Sequence, residues 1–173
     1  MVGTLRRLQC QNHYLKALLA NGYIKRINHI GSTVVPGLLA KPTVDILLEV
    51  SAEAEVELIE TKLENAGWTL MHRNQDEGDL NLVFNKGYTI EGFADKVFHL
   101  HLRHYGDWDE LYFRDYLLAH SELADKYGEL KKVLEKEYKN NRDCYTEAKT
   151  EFIEKYTAEA RKEFRDKYLA EEK

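Results

Sequence analysis

Gly31-Ser32-Thr33 closes a strand-like run and opens a short helical turn. Backbone N–H groups and a hydroxyl gathered there favour an anion, and phosphate is the natural candidate. Thirteen positions past Ser32, Asp45 stands alone among Val44, Ile46, Leu47 and Leu48. A carboxylate in so apolar a strand costs several kcal/mol unless it is paired, hydrogen-bonded or metal-bound. If the two strands lie side by side, the turn becomes an anion cradle beside a possible magnesium ligand. Further along, His99 and His101 alternate with Phe98, Leu100 and Leu102. That spacing puts both imidazoles on one strand face, about 7 Å apart at their Cα atoms. Joined to Asp45 they make a set of two imidazoles and one carboxylate, which suits zinc, manganese or iron better than the all-oxygen shell of magnesium. In a transfer reaction such a divalent ion would polarise a phosphoryl oxygen while Lys41 or Arg103 neutralises charge.

Each of these residues also has a plainer reading. Gly31 and Ser32 can be an ordinary turn with a capping serine. Asp45 can anchor backbone N–H groups, and the two histidines can be hydrogen-bonded sheet residues. Lys41, held extended by Pro42, reaches a phosphate or is merely solvated. Arg114, next to Asp115, is a ligand contact or half of a structural ion pair. The tyrosines of the last third of the chain, among them Tyr112, Tyr127, Tyr145 and Tyr168, are assigned to packing.

The elements that must position these residues follow from periodicity. Leucines at helical spacing predict an opening helix over Thr4 to Ala20, ended by Asn21-Gly22. Strands are expected at Tyr23 to Ile30 and Thr43 to Val50, the second more buried, and a helix at Ala52 to Ala66. Trp68 to His72, Leu80 to Phe84 and Val97 to Arg103 supply three more strands. After Tyr105-Gly106-Asp107 the pattern turns helical: Trp108 to His120, Ser121 to Tyr138, and Arg142 to about Leu169. One domain over 1–173 is therefore expected, with sheet in about 1–104 and helices in about 105–173.

The chain has 173 residues, 43% hydrophobic and 32% charged, with 25 Lys and Arg against 30 Asp and Glu for a net charge of −5. That is enough for one sizeable core, and the acidic balance makes duplex nucleic acid a poor fit as partner. No window approaches a membrane span. Cys10 and Cys144 lack paired metal or redox spacing, so a reduced, cytoplasmic setting is expected.

Several segments together resemble the GrpB family: His29-Ile30-Gly31-Ser32-Thr33, Val35-Pro36-Gly37-Leu38, Lys41-Pro42 and Asp45-Ile46. Phe98-His99-Leu100-His101-Leu102, Phe113-Arg114-Asp115-Tyr116-Leu117, Tyr127 with Leu130-Lys131, and Tyr145 with Ala148-Lys149 follow in the family's order, over about Ile24 to Phe152. The resemblance implies an α+β, nucleotidyltransferase-like mixed sheet flanked by helices, with a C-terminal helical arm. It also points to relatives fused to dephospho-coenzyme A kinase. The wider nucleotidyltransferase pattern places a second acid two residues past the first, and here that position is Leu47. Glu49 shares the face but sits about 13 Å from Asp45, whereas paired ions are about 4 Å apart.

The leading expectation is a protein that binds a nucleotide or other phosphorylated small molecule, with metal-dependent nucleotidyl transfer to an unknown acceptor. A catalytically degenerate binding module linked to coenzyme A metabolism is the first alternative. A metal-dependent hydrolase built on His99 and His101 is the second.

Overall fold

A computed structural model describes residues 12–19, 22–76, 79–89 and 92–169, with backbone alone at 75–76, 79, 89, 92–96 and 142. The predicted helix at Thr4 lies partly outside these residues, as does Cys10. What is described of it is α1 (12–18), followed by β1 Ile24–Ile30, β2 Thr43–Val50, α2 Val56–Asn65, β3 Thr69–Asp76, β4 Asp79–Thr89 and β5 Gly92–His104. Helices α3 Asp109–Ala119, α4 Ser121–Glu137, α5 Arg142–Glu147 and α6 Thr150–Phe164 complete the order. These residues form two compact units, one running to Ile30 and then over Pro42–Gly106, the other containing Gly31–Lys41 and the chain from Asp107.

The first unit is a five-stranded mixed sheet in the order β1-β2-β5-β4-β3. It is the α+β architecture expected of a nucleotidyltransferase-like core. β2 and β5 run parallel and the other neighbours antiparallel. Alternation along these strands separates two chemistries. Val44, Ile46, Leu48 and Val50 share one face with Phe98, Leu100, Leu102, Leu82 and Phe84, and with Leu15, Ile59, Leu63 and Trp68 they form a hydrophobic core. Asp45, Leu47 and Glu49 share the other face with His99, His101 and Arg103. β4 and β5 extend beyond the expected strands, because their polar middle segment pairs with itself as a hairpin.

The second unit is helical. α4 buries Leu123, Tyr127, Lys131 and Leu134 along one stripe, and Val35 packs with Leu117, Leu123, Ala124 and Tyr127. Gly128 faces the loop, where a Cβ would lie in van der Waals range of Leu38 Cδ1 at 3.4 Å. Arg161 of α6 is held by Asp107 and Asp109 and sits 4.4 Å from the centroid of the Tyr112 ring.

The long helix expected from Arg142 is broken instead. At Lys149 the N–H donates to Thr146, three residues back, and this tighter turn separates α5 from α6. α6 stops at Phe164, and Arg165 takes the left-handed conformation at φ 45°. The reversal packs Tyr168 edge-on against Tyr112, centroids 5.2 Å apart, with its hydroxyl donating to Asp115. Two aromatic rings and a carboxylate thus outweigh continued helix.

Candidate functional site

In the sheet unit, β1 pairs with β2 as expected and sets Ile30 across from Asp45. On the other side Asp45 stands opposite His99, and the two side chains meet: Asp45 Oδ1 is 3.1 Å from His99 Nδ1. The second ring nitrogen, Nε2, is 2.8 Å from the Tyr88 hydroxyl. Asp45 is not the buried acid expected, since its side chain is 27% exposed. The buried acid is Glu49, fully enclosed. Arg26 grips Glu49 with two hydrogen bonds of 2.6 Å, and the Gly106 N–H donates to it at 3.3 Å. Arg26 also donates to the Gly106 carbonyl, so Glu49 is a structural carboxylate that ties β1 to the end of β5.

Leu47 is fully buried, and its ladder neighbours are Asn28 on β1 and His101 on β5. Neither adjacent strand therefore supplies a carboxylate at that height. The side chain of Asp79 and the whole of Glu91, two distant candidates for a second acid, lie outside the described residues. Arg103 is half-buried and stands across from Glu49 and from Asn81 on β4.

Tyr88 was not legible from alternation. Asn85 pairs with His99, so in an unbroken strand Tyr88 would point to the opposite face from His99. The register breaks between Lys86 and Tyr88, where Gly87 adopts φ 92°. The irregularity re-aims Tyr88 onto the histidine.

The helical unit holds Gly31, Ser32, Thr33 and Lys41. Gly31 has φ 73° and ψ −177°, a combination nearly confined to glycine. Gly31→Ala is therefore expected to destabilise the protein by about 1–3 kcal/mol, read as a lowered thermal midpoint; an unchanged midpoint would mean the turn relaxes without cost. Ser32 Oγ accepts a hydrogen bond from Lys131 Nζ at 2.9 Å, and the same ammonium donates to the Leu39 carbonyl. Lys131 is 7% exposed and lies 5.1 Å from the centroid of the Tyr127 ring. Burial pushes its ammonium down to about 8, and the charge of Lys149 adds to the shift. Lys149 in turn sits 4.2 Å over the Tyr145 ring. Burial also pushes the Tyr127 phenol up to about 12, helped by Tyr145. Among the described residues Lys131 has no carboxylate partner. Thr33 is half-buried and Lys41 exposed, while Arg114 is engaged by Asp115 at 2.7 Å and the Tyr168 hydroxyl at 2.8 Å.

Lys131 carries a signal that residue chemistry alone could have found. It stands four residues after Tyr127 and three before Leu134, on the apolar stripe of a helix otherwise rich in solvated charge. An open depression elsewhere in this unit, lined by Asp143, Thr146, Glu147 and Thr150, contains none of these residues, and its acidic lining does not suit an anion.

A divalent ion was expected on Asp45, His99 and His101. Among the described residues no three His, Cys, Asp or Glu side chains are grouped to hold a metal. Asp45 and His99 are bonded to each other rather than aimed at a shared point, and Tyr88 meets the nitrogen that a metal would need. The described residues do not fit the ion.

A family model described as GrpB protein matches residues 6–159. The chain is 34% identical over 153 residues to the glutamate-rich protein GrpB of Alkalihalophilus pseudofirmus, covering 86% of each chain. It is 32% identical over 130 residues to UPF0157 protein YqkA of Bacillus subtilis, covering 73% of this chain and 36% of that relative. The crystal structure of conserved protein GrpB from Enterococcus faecalis superposes with a TM-score of 0.79 at 29% identity, covering 95% of this chain and 96% of that one. No helix among the described residues is long and apolar enough to cross a membrane.

Proposed function

From the premise that the chain belongs to the GrpB family, we propose that it binds a phosphorylated small molecule of the nucleotide class, with the phosphate held by Lys131, Ser32 and Lys149. One observation carries this reading: a buried ammonium that has no carboxylate partner among the described residues. The contacts of Lys131 are a hydroxyl, a carbonyl and an aromatic face, and the nearby charge that shifts it has its own sign. Buried charges are normally compensated by opposite charge. Here the ligand supplies it. A phosphate reaching Lys131 neutralises the repulsion between the two lysines, and the Ser32 hydroxyl turns from accepting to donating. The half-buried ring of Tyr145, which already faces the Lys149 ammonium, offers a surface for a base.

Binding is favoured over two-metal transfer by Leu47, which is apolar where the second acid would stand and has Asn28 and His101 beside it. The protein then acts as a ligand-binding module in a reduced, cytoplasmic setting, and coenzyme A is one of the nucleotide-containing molecules it would accept.

Calorimetry with ATP, coenzyme A and inorganic phosphate at pH 7 tests the reading. Heat from at least one nucleotide is expected, with Ser32→Ala weakening affinity about tenfold through one lost charge-assisted bond. A folded protein that takes up none of the three overturns it.

A further inference from the structure

The polar face of the sheet carries an arrangement that needs neither a metal nor the phosphate site. Asp45 Oδ1, His99 Nδ1, His99 Nε2 and the Tyr88 hydroxyl form a continuous hydrogen-bonded row with separations of 3.1 and 2.8 Å. The two rings are within 3° of parallel, their centroids 6.0 Å apart. A carboxylate accepts hydrogen bonds, so the proton of a neutral imidazole sits on Nδ1. Nε2 is then the lone-pair nitrogen, and the Tyr88 O–H donates to it. The row is open to solvent: His99 is 21% exposed, and Tyr88 is 47% exposed.

We infer that Asp45, His99 and Tyr88 form a metal-free general-base site, in which His99 Nε2 takes the proton of a hydroxyl-bearing small molecule that displaces the Tyr88 O–H. The hydroxyl's O–H bond breaks, an N–H bond forms at Nε2, and the oxygen keeps the electron pair. Asp45 holds the ring orientation and stabilises the resulting imidazolium. Tyr88 is a positioning residue that occupies the acceptor nitrogen until a guest hydroxyl replaces it. The register break between Lys86 and Tyr88 is what makes this possible, since it brings Tyr88 to the histidine's face.

Nitrogen-15 NMR of the imidazole reads the tautomer directly. The expected result is a proton on Nδ1 of His99, moving to Nε2 in Asp45→Asn, where the amide N–H can donate to Nδ1. A proton on Nε2 in the parent protein overturns the inference. Acylation by diethyl pyrocarbonate, followed by mass spectrometry, probes the lone pair at Nε2. Tyr88→Phe, an exposed and conservative change, is expected to speed acylation of His99 severalfold, and Asp45→Asn to slow it. A His99 rate indifferent to both variants overturns the inference, and Tyr88→Phe keeps the test decisive if Asp45→Asn fails to fold. Titration with zinc, manganese or magnesium is expected to leave the His99 resonances in place. Coordination at His99 and Asp45 would instead make this a metal centre. Because these readouts need no phosphate ligand, they can fail or succeed independently of the phosphate site.

Discussion

Lys131→Met is expected to lower affinity for the nucleotide by about 100-fold, the loss of a hydrogen bond to a charged partner worth about 1.5–3 kcal/mol. Methionine preserves the length and the contact with Tyr127 but removes the donor, so Ser32 Oγ and the Leu39 carbonyl lose their shared partner. The pH dependence has a definite sign. Burial and Lys149 hold the free ammonium at about 8 against an ordinary 10.5. Below pH 8 Lys131 is charged and ready for phosphate; above it, each unit of pH is expected to weaken binding up to tenfold, because the proton must be regained on binding. Stability of the unliganded protein moves the other way. Between pH 8 and 10.5 the unfolded chain holds more protons at this site than the folded one, so this residue's contribution to stability rises with pH. The Lys131 contribution, read as the difference between the parent protein and Lys131→Met, should therefore have opposite slopes in calorimetry and in thermal melting across pH 7 to 10. Parallel slopes, or a binding profile unchanged by the substitution, would detach Lys131 from the ligand.

Glu49→Ala is expected to have the largest effect on stability, about 3 kcal/mol, because it leaves the Arg26 guanidinium largely enclosed without its carboxylate. For a chain of this size that corresponds to a fall of roughly 6–12 °C in thermal midpoint. Two 2.6 Å bonds from Arg26 and the Gly106 N–H all converge on this carboxylate, so three groups lose a partner at once. Removing both ends of the pair, as in Arg26→Met with Glu49→Met, is expected to recover much of the loss, since a buried ion pair contributes less than its broken half costs. A double variant as unstable as the sum of the two single ones would show that Arg26 and Glu49 act separately.

The sheet was legible because its apolar runs are strong: Thr43 to Val50 is nearly continuous, as a central strand buried on both faces should be. Periodicity carried the remaining elements, and the GrpB resemblance carried the fold class. Positions within that frame were harder. Asp45 and Glu49 share a face of one strand, and nothing in their immediate neighbours distinguishes the half-buried acid from the enclosed one; the distinction is made by Arg26 on another strand. Tyr88 escaped because a register break beside Gly87 interrupts the alternation on which the prediction rests. Lys131 stands in the family pattern, yet was given no ligand role for the opposite reason. Its place on the apolar stripe was visible, but a lysine among Glu129, Lys132 and Lys136 blends into a solvated helix until packing singles it out.

The strand order has a bearing on how the chain reaches its native state. β3, β4 and β5 follow one another as antiparallel neighbours, whereas β2 joins β5 only across the whole β3–β4 excursion. Local hairpins close within microseconds, while a parallel pairing between such distant segments carries a large loop-closure entropy. The β3–β4–β5 meander is thus expected to form early and to offer an unpaired flank until β2 arrives. Asp45 reaches His99 only in that last step, so the proton-accepting row matures together with the final zipping of the sheet.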